Sequence, residues 1–269
     1  MTIALGLLCE GGAIIAADTQ IVDTNGMITQ GYKVFHFTGR KATFAIANAS
    51  NDANAAVTMI RKIQAALEGT EFKNWKDVEE VIAYEMSDFS QPFKTSPEHQ
   101  LIVAGFLKDN GVRLYFCEPP NTVLPKMLEA YASAGGGASV SDPLYHTLFE
   151  FTGHLSPQLI LRQIAYLMYR AKKDHALCGG DTTAFYICED MRDPEAIALP
   201  CFVKAEKRMQ QLDHLLGRTA QIVLGETKDL KTDSDNLALS IVMSTPLRDV
   251  VFHNSQLDPI QAPIARTQG

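Results

Sequence analysis

The chain has 269 residues, 46% hydrophobic and 20% charged, enough to bury the core of one large globular domain or two small ones. Its formal charge of -7, with acids and bases interspersed and no run of Lys or Arg, leaves no electrostatic footprint for nucleic acid or an anionic membrane surface. No stretch approaches the ~20 apolar residues that span a bilayer, and the opening MTIALGLLCEGG lacks the basic start and long apolar middle of a signal peptide, so the expected location is the cytoplasm.

Residues 2–9 and 13–18 are apolar runs of strand length divided by Glu10-Gly11-Gly12, which predicts an opening β-hairpin. Past a polar loop through Asn25-Gly26, residues 34–37 and 43–47 are again strand-like. Helical periodicity then takes over. Residues 52–68 place Ala56, Met59, Ile60, Ile63 and Leu67 on one face, with Gly69 where a C-cap belongs. Residues 75–89 predict a second helix, with Asn74 as N-cap and Val78, Ile82, Met86 and Phe89 as its stripe.

Strands return at 101–107 and 112–117, joined by Lys108-Asp109-Asn110-Gly111, a strong short hairpin signal. Two more helices are expected at 142–151 and 157–173, the latter opened by Ser156 as N-cap and Pro157 at the first helical position. A strand at 182–188 closes the pattern. Two antiparallel sheets need their outer faces covered, and two helix pairs suffice, which points to an α+β fold built as a four-layer αββα sandwich. An ordinary α+β domain fits the same periodicity.

The five cysteines, Cys9, Cys117, Cys178, Cys188 and Cys201, are odd in number and scattered, so reduced thiols are expected, with Cys9 and Cys178 read as buried. The seven histidines form no HExxH or similar close pair, so no metal is assigned.

Three segments carry a family resemblance. Thr2-Ile3-Ala4-Leu5-Gly6 followed by Gly12-Ala13-Ile14-Ile15-Ala16-Ala17-Asp18-Thr19 is similar to the opening of a proteasome β-type subunit, and Gly31-Tyr32-Lys33-Val34-Phe35 resembles that family's catalytic-lysine segment. The run 43–52, TFAIANASND, resembles the strand and helix start that line the family's substrate channel. More weakly, 131–137 and 171–180 resemble two family loops, so the likeness covers about residues 2–190. The chain is similar to the simpler bacterial proteasome-like proteases, in which removal of the first Met is enough to expose the threonine.

This resemblance implies an N-terminal-nucleophile (Ntn) hydrolase fold over residues 1–190, followed by a C-terminal extension over 191–269. In the extension, 202–216 reads as a helix and 237–243 as a strand, packing on the same domain or on a neighbouring subunit. It also implies catalysis by Thr2 once Met1 is removed. A hydroxyl is a weak nucleophile that must pass its proton to a base, and a free α-amine, with an unperturbed pKa of about 7.7–8.0, can accept it near neutral pH. Lys33 would lower the pKa of both hydroxyl and amine, and Asp18 would hold the ammonium.

The product of attack would be an acyl-ester that water hydrolyses, with no cofactor. The matching position for the oxyanion-stabilising and substrate-lining backbone N–H is Asn48, where the family usually has Gly. The supporting shell departs further. The family's serine falls on Gly136, with Ser139 as the nearest substitute, and a second aspartate and serine fall on His175, or Asp174, and Cys178.

The implied function is a threonine-type peptidase that cleaves peptides or unfolded protein inside a self-compartmentalising homo-oligomeric ring, with an ATP-driven unfoldase as an open question. Two alternatives remain: a ring or scaffold subunit that has lost catalysis, and an Ntn amidohydrolase acting on a small amide.

Overall fold

The computed structural model describes residues 2–22, 27–90, 99–118, 126–128, 130–149, 155–189, 194–197 and 199–223. In chain order, strands β1 (Ala4–Cys9), β2 (Gly12–Asp18), β3 (Gln20–Val22), β4 (Ile28–Gln30), β5 (Val34–Thr38) and β6 (Ala42–Ser50) lead into helices α1 (Ala53–Gly69) and α2 (Trp75–Ser90). Strands β7 (His99–Leu107), β8 (Gly111–Cys117), β9 (Lys126–Leu128) and β10 (Tyr131–Ala134) precede α3 (Ala138–Leu148) and α4 (Pro157–Asp174). Strands β11 (Thr182–Cys188) and β12 (Glu195–Ala196) and helix α5 (Leu199–Val223) follow.

Two antiparallel five-stranded sheets result, in the orders β10-β1-β2-β11-β12 and β5-β6-β7-β8-β9, with β3 and β4 forming a separate two-stranded ribbon. A period-2 division of side chains builds three cores from these two sheets. Leu5, Leu7, Ile14 and Ala16 turn outward onto α3, α4 and α5, while Ala4, Ala13, Ile15 and Ala17 turn inward. The second sheet divides in the same way: Phe44, Ile46 and Val103 pack under α1 and α2, while Ala45, Ala47, Ile102 and Ala104 face the first sheet. This is the four-layer αββα sandwich. The inner layer is rich in alanine, and Gly6 belongs to it, since a Cβ there would lie 2.8 Å from both Ile102 and Leu114.

Strands buried on both faces show no alternation of apolar and polar residues, which is why β2 and β6 read as continuous apolar runs. Their helices are set by caps and stripes. The Asp52 carboxylate accepts from Ala55 N–H at 3.0 Å to open α1, and Asn74 Oδ1 accepts from Asp77 N–H at 3.2 Å to open α2. Gly69 is the last residue of α1, and the cap position falls on Thr70.

Helix α3 starts at Ala138, four residues before the expected Asp142. The Asp142 carboxylate is turned away from a capping role: it accepts from Tyr131 Oη at 2.9 Å and from Ser133 Oγ, pinning α3 to β10. Pro143 therefore lies inside the helix, where it has no N–H to offer. The expected end of this helix at Phe151, and the strand-like 237–243, lie outside the described residues. On the first sheet three helices, not a pair, cover the outer face, because Phe202, Ala205 and Met209 of α5 join the core beneath α4.

Candidate active site

Three sequence-distant polar residues meet at the open end of the sandwich. Thr2 enters β1, Asp18 ends β2, and Lys33 enters β5, so one site is assembled from both sheets. All three are buried among apolar neighbours. Lys33 Nζ donates to Asp18 Oδ1 at 2.7 Å, to Thr2 Oγ1 and to the Gln20 carbonyl. Thr2 Oγ1 in turn donates to Asp18 Oδ1. The threonine hydroxyl is thus held directly between an ammonium and a carboxylate.

Backbone donors complete the cradle around Asp18: Ile3 N–H reaches Oδ1 at 3.2 Å and Gly179 N–H reaches Oδ2 at 3.0 Å. Burial pulls the Lys33 ammonium below its ordinary pKa, and the adjacent Asp18 carboxylate, by charge and by hydrogen bond, pulls the other way.

The loop 135–137 presses on Thr2 from the other side. Gly137 N–H donates to the Thr2 carbonyl at 3.2 Å, and Gly135 N–H donates to Gln100 Oε1 at 2.7 Å. Gly135 has φ +87°, and a Cβ there would stand 2.2 Å from the Thr2 carbonyl oxygen. Gly135→Ala is therefore expected to cost about 1–2 kcal/mol from the left-handed backbone alone. The steric displacement of Thr2 adds to this, so activity should fall in the same variant; a thermal melt together with a peptide-hydrolysis assay checks both.

The remaining candidates are placed as follows. Gly136 offers its carbonyl to Ser139 Oγ at 2.8 Å, so the Ser139 hydroxyl is engaged in its own turn on the exposed side of α3. Asn48 is buried, and its N–H donates to the Lys33 carbonyl at 2.9 Å. That differs from the sequence expectation of an oxyanion donor: β6 continues beyond Ala47, and ladder pairing with the residue before β5 takes this N–H. Asp174 lies in the last turn of α4 and accepts from Arg170 Nε at 3.0 Å, away from Thr2.

His175 caps α4 and its Nδ1 stands 3.6 Å from Cys178 Sγ. Cys178 itself comes to the centre: its thiol lies against Gly137, and burial, reinforced by the Asp18 charge, pushes its pKa up to about 12, so it is a neutral thiol at cellular pH. No group of metal-ligating side chains occurs among the described residues.

Sequence reading missed the Gln20 carbonyl, the Ile3 and Gly179 amides and the Gly135–Gly137 contacts. These act through the backbone, where residue identity carries no signal. Gly135, Gly137 and Gly179 were visible as glycines, but their reason, close approach to Thr2, Ile3 and the Gln20 side chain, exists only in three dimensions.

An antiparallel αββα sandwich with a threonine hydroxyl, an aspartate and a lysine converging at the mouth of the first hairpin defines the class of Ntn-type proteins. The family model described as "Proteasome subunit" matches residues 2–170, and the chain belongs to that family. In structure it is similar to Anbu (ancestral β-subunit) from Yersinia bercovieri, with a TM-score of 0.68 at 13% identity, covering 81% of this chain and 97% of that one. It is also similar to an Anbu (Gly-1) mutant from Hyphomicrobium sp. strain MC1, with a TM-score of 0.67 at 16% identity, covering 85% and 100%. The helical assembly of the Anbu complex from Pseudomonas aeruginosa gives 0.66 at 14%, covering 80% and 96%. At such identities the likeness is one of fold. No curated protein matches the chain in sequence. No helix among the described residues is long and apolar enough to cross a membrane.

Proposed function

We propose that the chain is a threonine-type peptidase of the proteasome family that acts after removal of Met1, with Thr2 Oγ1 as nucleophile. The observation that carries this reading is the convergence of Thr2, Asp18 and Lys33 at hydrogen-bond distance in a buried site, from positions 16 and 15 residues apart in sequence. Thr2 Oγ1 attacks the scissile carbonyl carbon, its proton passes to the freed α-amine, and that amine returns a proton to the departing amine nitrogen. Water then hydrolyses the acyl-ester with the same amine as base. Lys33, charged, stabilises the developing oxygen charge, and Asp18 keeps Lys33 charged against the pull of burial.

Thr2 is buried, and its nitrogen is an amide until Met1 is removed, so the base of this mechanism exists only after that cleavage. An exposed nucleophile of this kind needs restricted access, and homo-oligomeric enclosure supplies it; the neighbour from Pseudomonas aeruginosa, whose description names a helical assembly, favours association of copies over a monomer. A cytoplasmic location, a peptide or unfolded-protein substrate and a ring or related closed assembly belong to this proposal.

The test is intact-mass analysis of protein from cells, followed by incubation with an electrophilic peptide that captures an N-terminal hydroxyl. A chain lacking one Met and labelled at Thr2 is expected. Uniform retention of Met1 would sink the catalytic reading and leave a scaffold subunit, which the engagement of the Asn48 N–H also favours. Light scattering that finds only a 29.5 kDa species would remove the enclosed assembly.

A further inference from the structure

A second charged cluster lies beneath the first, outside residues 2–170 matched by the family model. Lys172 of α4 donates to both oxygens of Glu206 of α5 at 3.0 Å and to Thr182 Oγ1 of β11 at 2.6 Å. Thr182 Oγ1 donates to Glu206 Oε1 at 2.5 Å, closing a three-membered network. All three side chains are largely withdrawn from solvent, Lys172 at 12% and Glu206 at 17% exposure. Thr182 stands directly across from Asp18 in the β2–β11 register, so the network abuts the catalytic carboxylate through one rung of the ladder.

We propose that Glu206, on the C-terminal helix α5, is a positioning residue for the Thr2 centre: by pairing with Lys172 and tethering Thr182 opposite Asp18, it offsets the charge of a second cation that acts on Lys33. The inference rests on the peptidase reading for its functional meaning, but its physical content does not. Lys172 lies close enough for its charge to lower the Lys33 pKa, and the other groups facing Lys33 are Asp18 and Cys178.

Other charges on α4 and α5 engage different neighbours among the described residues. Lys173 pairs with Asp213 of α5, Arg170 with Asp174, and Arg162 stands near Arg208. From α3, Asp142 is bound by Tyr131 and Ser133, and His146 lies against Tyr131 and Tyr145. Glu206 is thus the carboxylate that balances Lys172 among the described residues. The plain alternative is that the pair only staples α4 to α5, which would affect stability and leave Lys33 titration unmoved.

The sign of the effect is fixed by electrostatics. Loss of the Glu206 charge leaves Lys172 uncompensated, disfavours a charged Lys33 and moves its titration to lower pH. Loss of the Lys172 charge leaves Glu206 uncompensated and moves it to higher pH. Removing both returns it towards the starting value.

The experiment follows the Lys33 ε-carbon by NMR in chains carrying ε-13C lysine, for the wild type, Glu206→Gln, Lys172→Met and the double variant, with peptide hydrolysis measured across pH in parallel. Expected are shifts of opposite sign in the single variants, each roughly half a unit, less than the ~1–3 units of a charge in direct contact. The double variant should fall back near the wild type, and the hydrolysis profile should follow. Unmoved Lys33 titration in folded Glu206→Gln and Lys172→Met overturns the proposal. Titration that moves as stated while no chain hydrolyses peptide upholds the coupling and overturns the peptidase reading instead.

Discussion

Lys33→Ala is expected to lower peptide hydrolysis by about 10²–10³-fold, the range that a preorganised charge-stabilising group supplies, while leaving the fold in place. In the proposed mechanism the ammonium touches the attacking hydroxyl directly, so its loss falls on the transition state rather than on substrate binding. The fold survives because Asp18 keeps other donors after Lys33 is gone: the Thr2 hydroxyl, Ile3 N–H at 3.2 Å and Gly179 N–H at 3.0 Å. The check is kcat and KM on a fluorogenic peptide beside a thermal melt. Near wild-type turnover in the folded variant would rule out the assigned chemistry, since a solvated surface lysine changes little when replaced.

Asp18→Ala should behave differently, with the larger effect on stability. Asp18 is fully buried and Lys33 nearly so, and removing the carboxylate leaves a buried ammonium whose acceptors among the described residues are the Gln20 carbonyl and the Thr2 hydroxyl. Breaking one half of a buried pair in this way costs about 3–5 kcal/mol.

The pH dependence has a definite sign. Burial already places the folded pKa of Lys33 below 10.5, and losing Asp18, which raises it, lowers it further. Below that folded value the native state carries the penalty of a buried charge. Between it and 10.5 the unfolded chain binds more protons than the native one, so stability rises with pH across that window. Denaturant melts of Asp18→Ala from neutral to alkaline pH should show this recovery, and Asp18→Ala/Lys33→Met should lack it. A penalty that stays constant with pH would mean that Lys33 is not the group left unpaired.

The amino-acid sequence determined the elements whose signals are local. Caps at Asp52 and Asn74, the proline opening α4, and the turn at 108–111, where Asp109 and Gly111 both take φ 73°, mark boundaries through short-range hydrogen bonds and backbone sterics. Continuous apolar runs such as residues 13–17 marked strands, and with two helix pairs they pointed to the layered sandwich while leaving an ordinary α+β domain open. The trio Thr2, Asp18 and Lys33 was legible only through the resemblance of their segments to those of a proteasome β-type subunit.

What only the tertiary structure decided is long-range. The edge strand β10 looked like a loop, because its four residues, Tyr131–Ala134, become a strand by pairing with β1 and have no strong pattern of their own. The early start of α3 depends on Asp142 finding Tyr131 and Ser133 across the sheet edge, which outweighs a local cap. Asn48 lost its expected donor role to a ladder bond with Lys33, a matter of register that residue type does not encode. The site draws on backbone groups of Ile3, Gln20, Gly137 and Gly179, and any residue would supply the same N–H or carbonyl. Folding brings these groups together around one carboxylate, so side-chain chemistry could be read along the chain, whereas the electrostatic setting of the Thr2 hydroxyl could not.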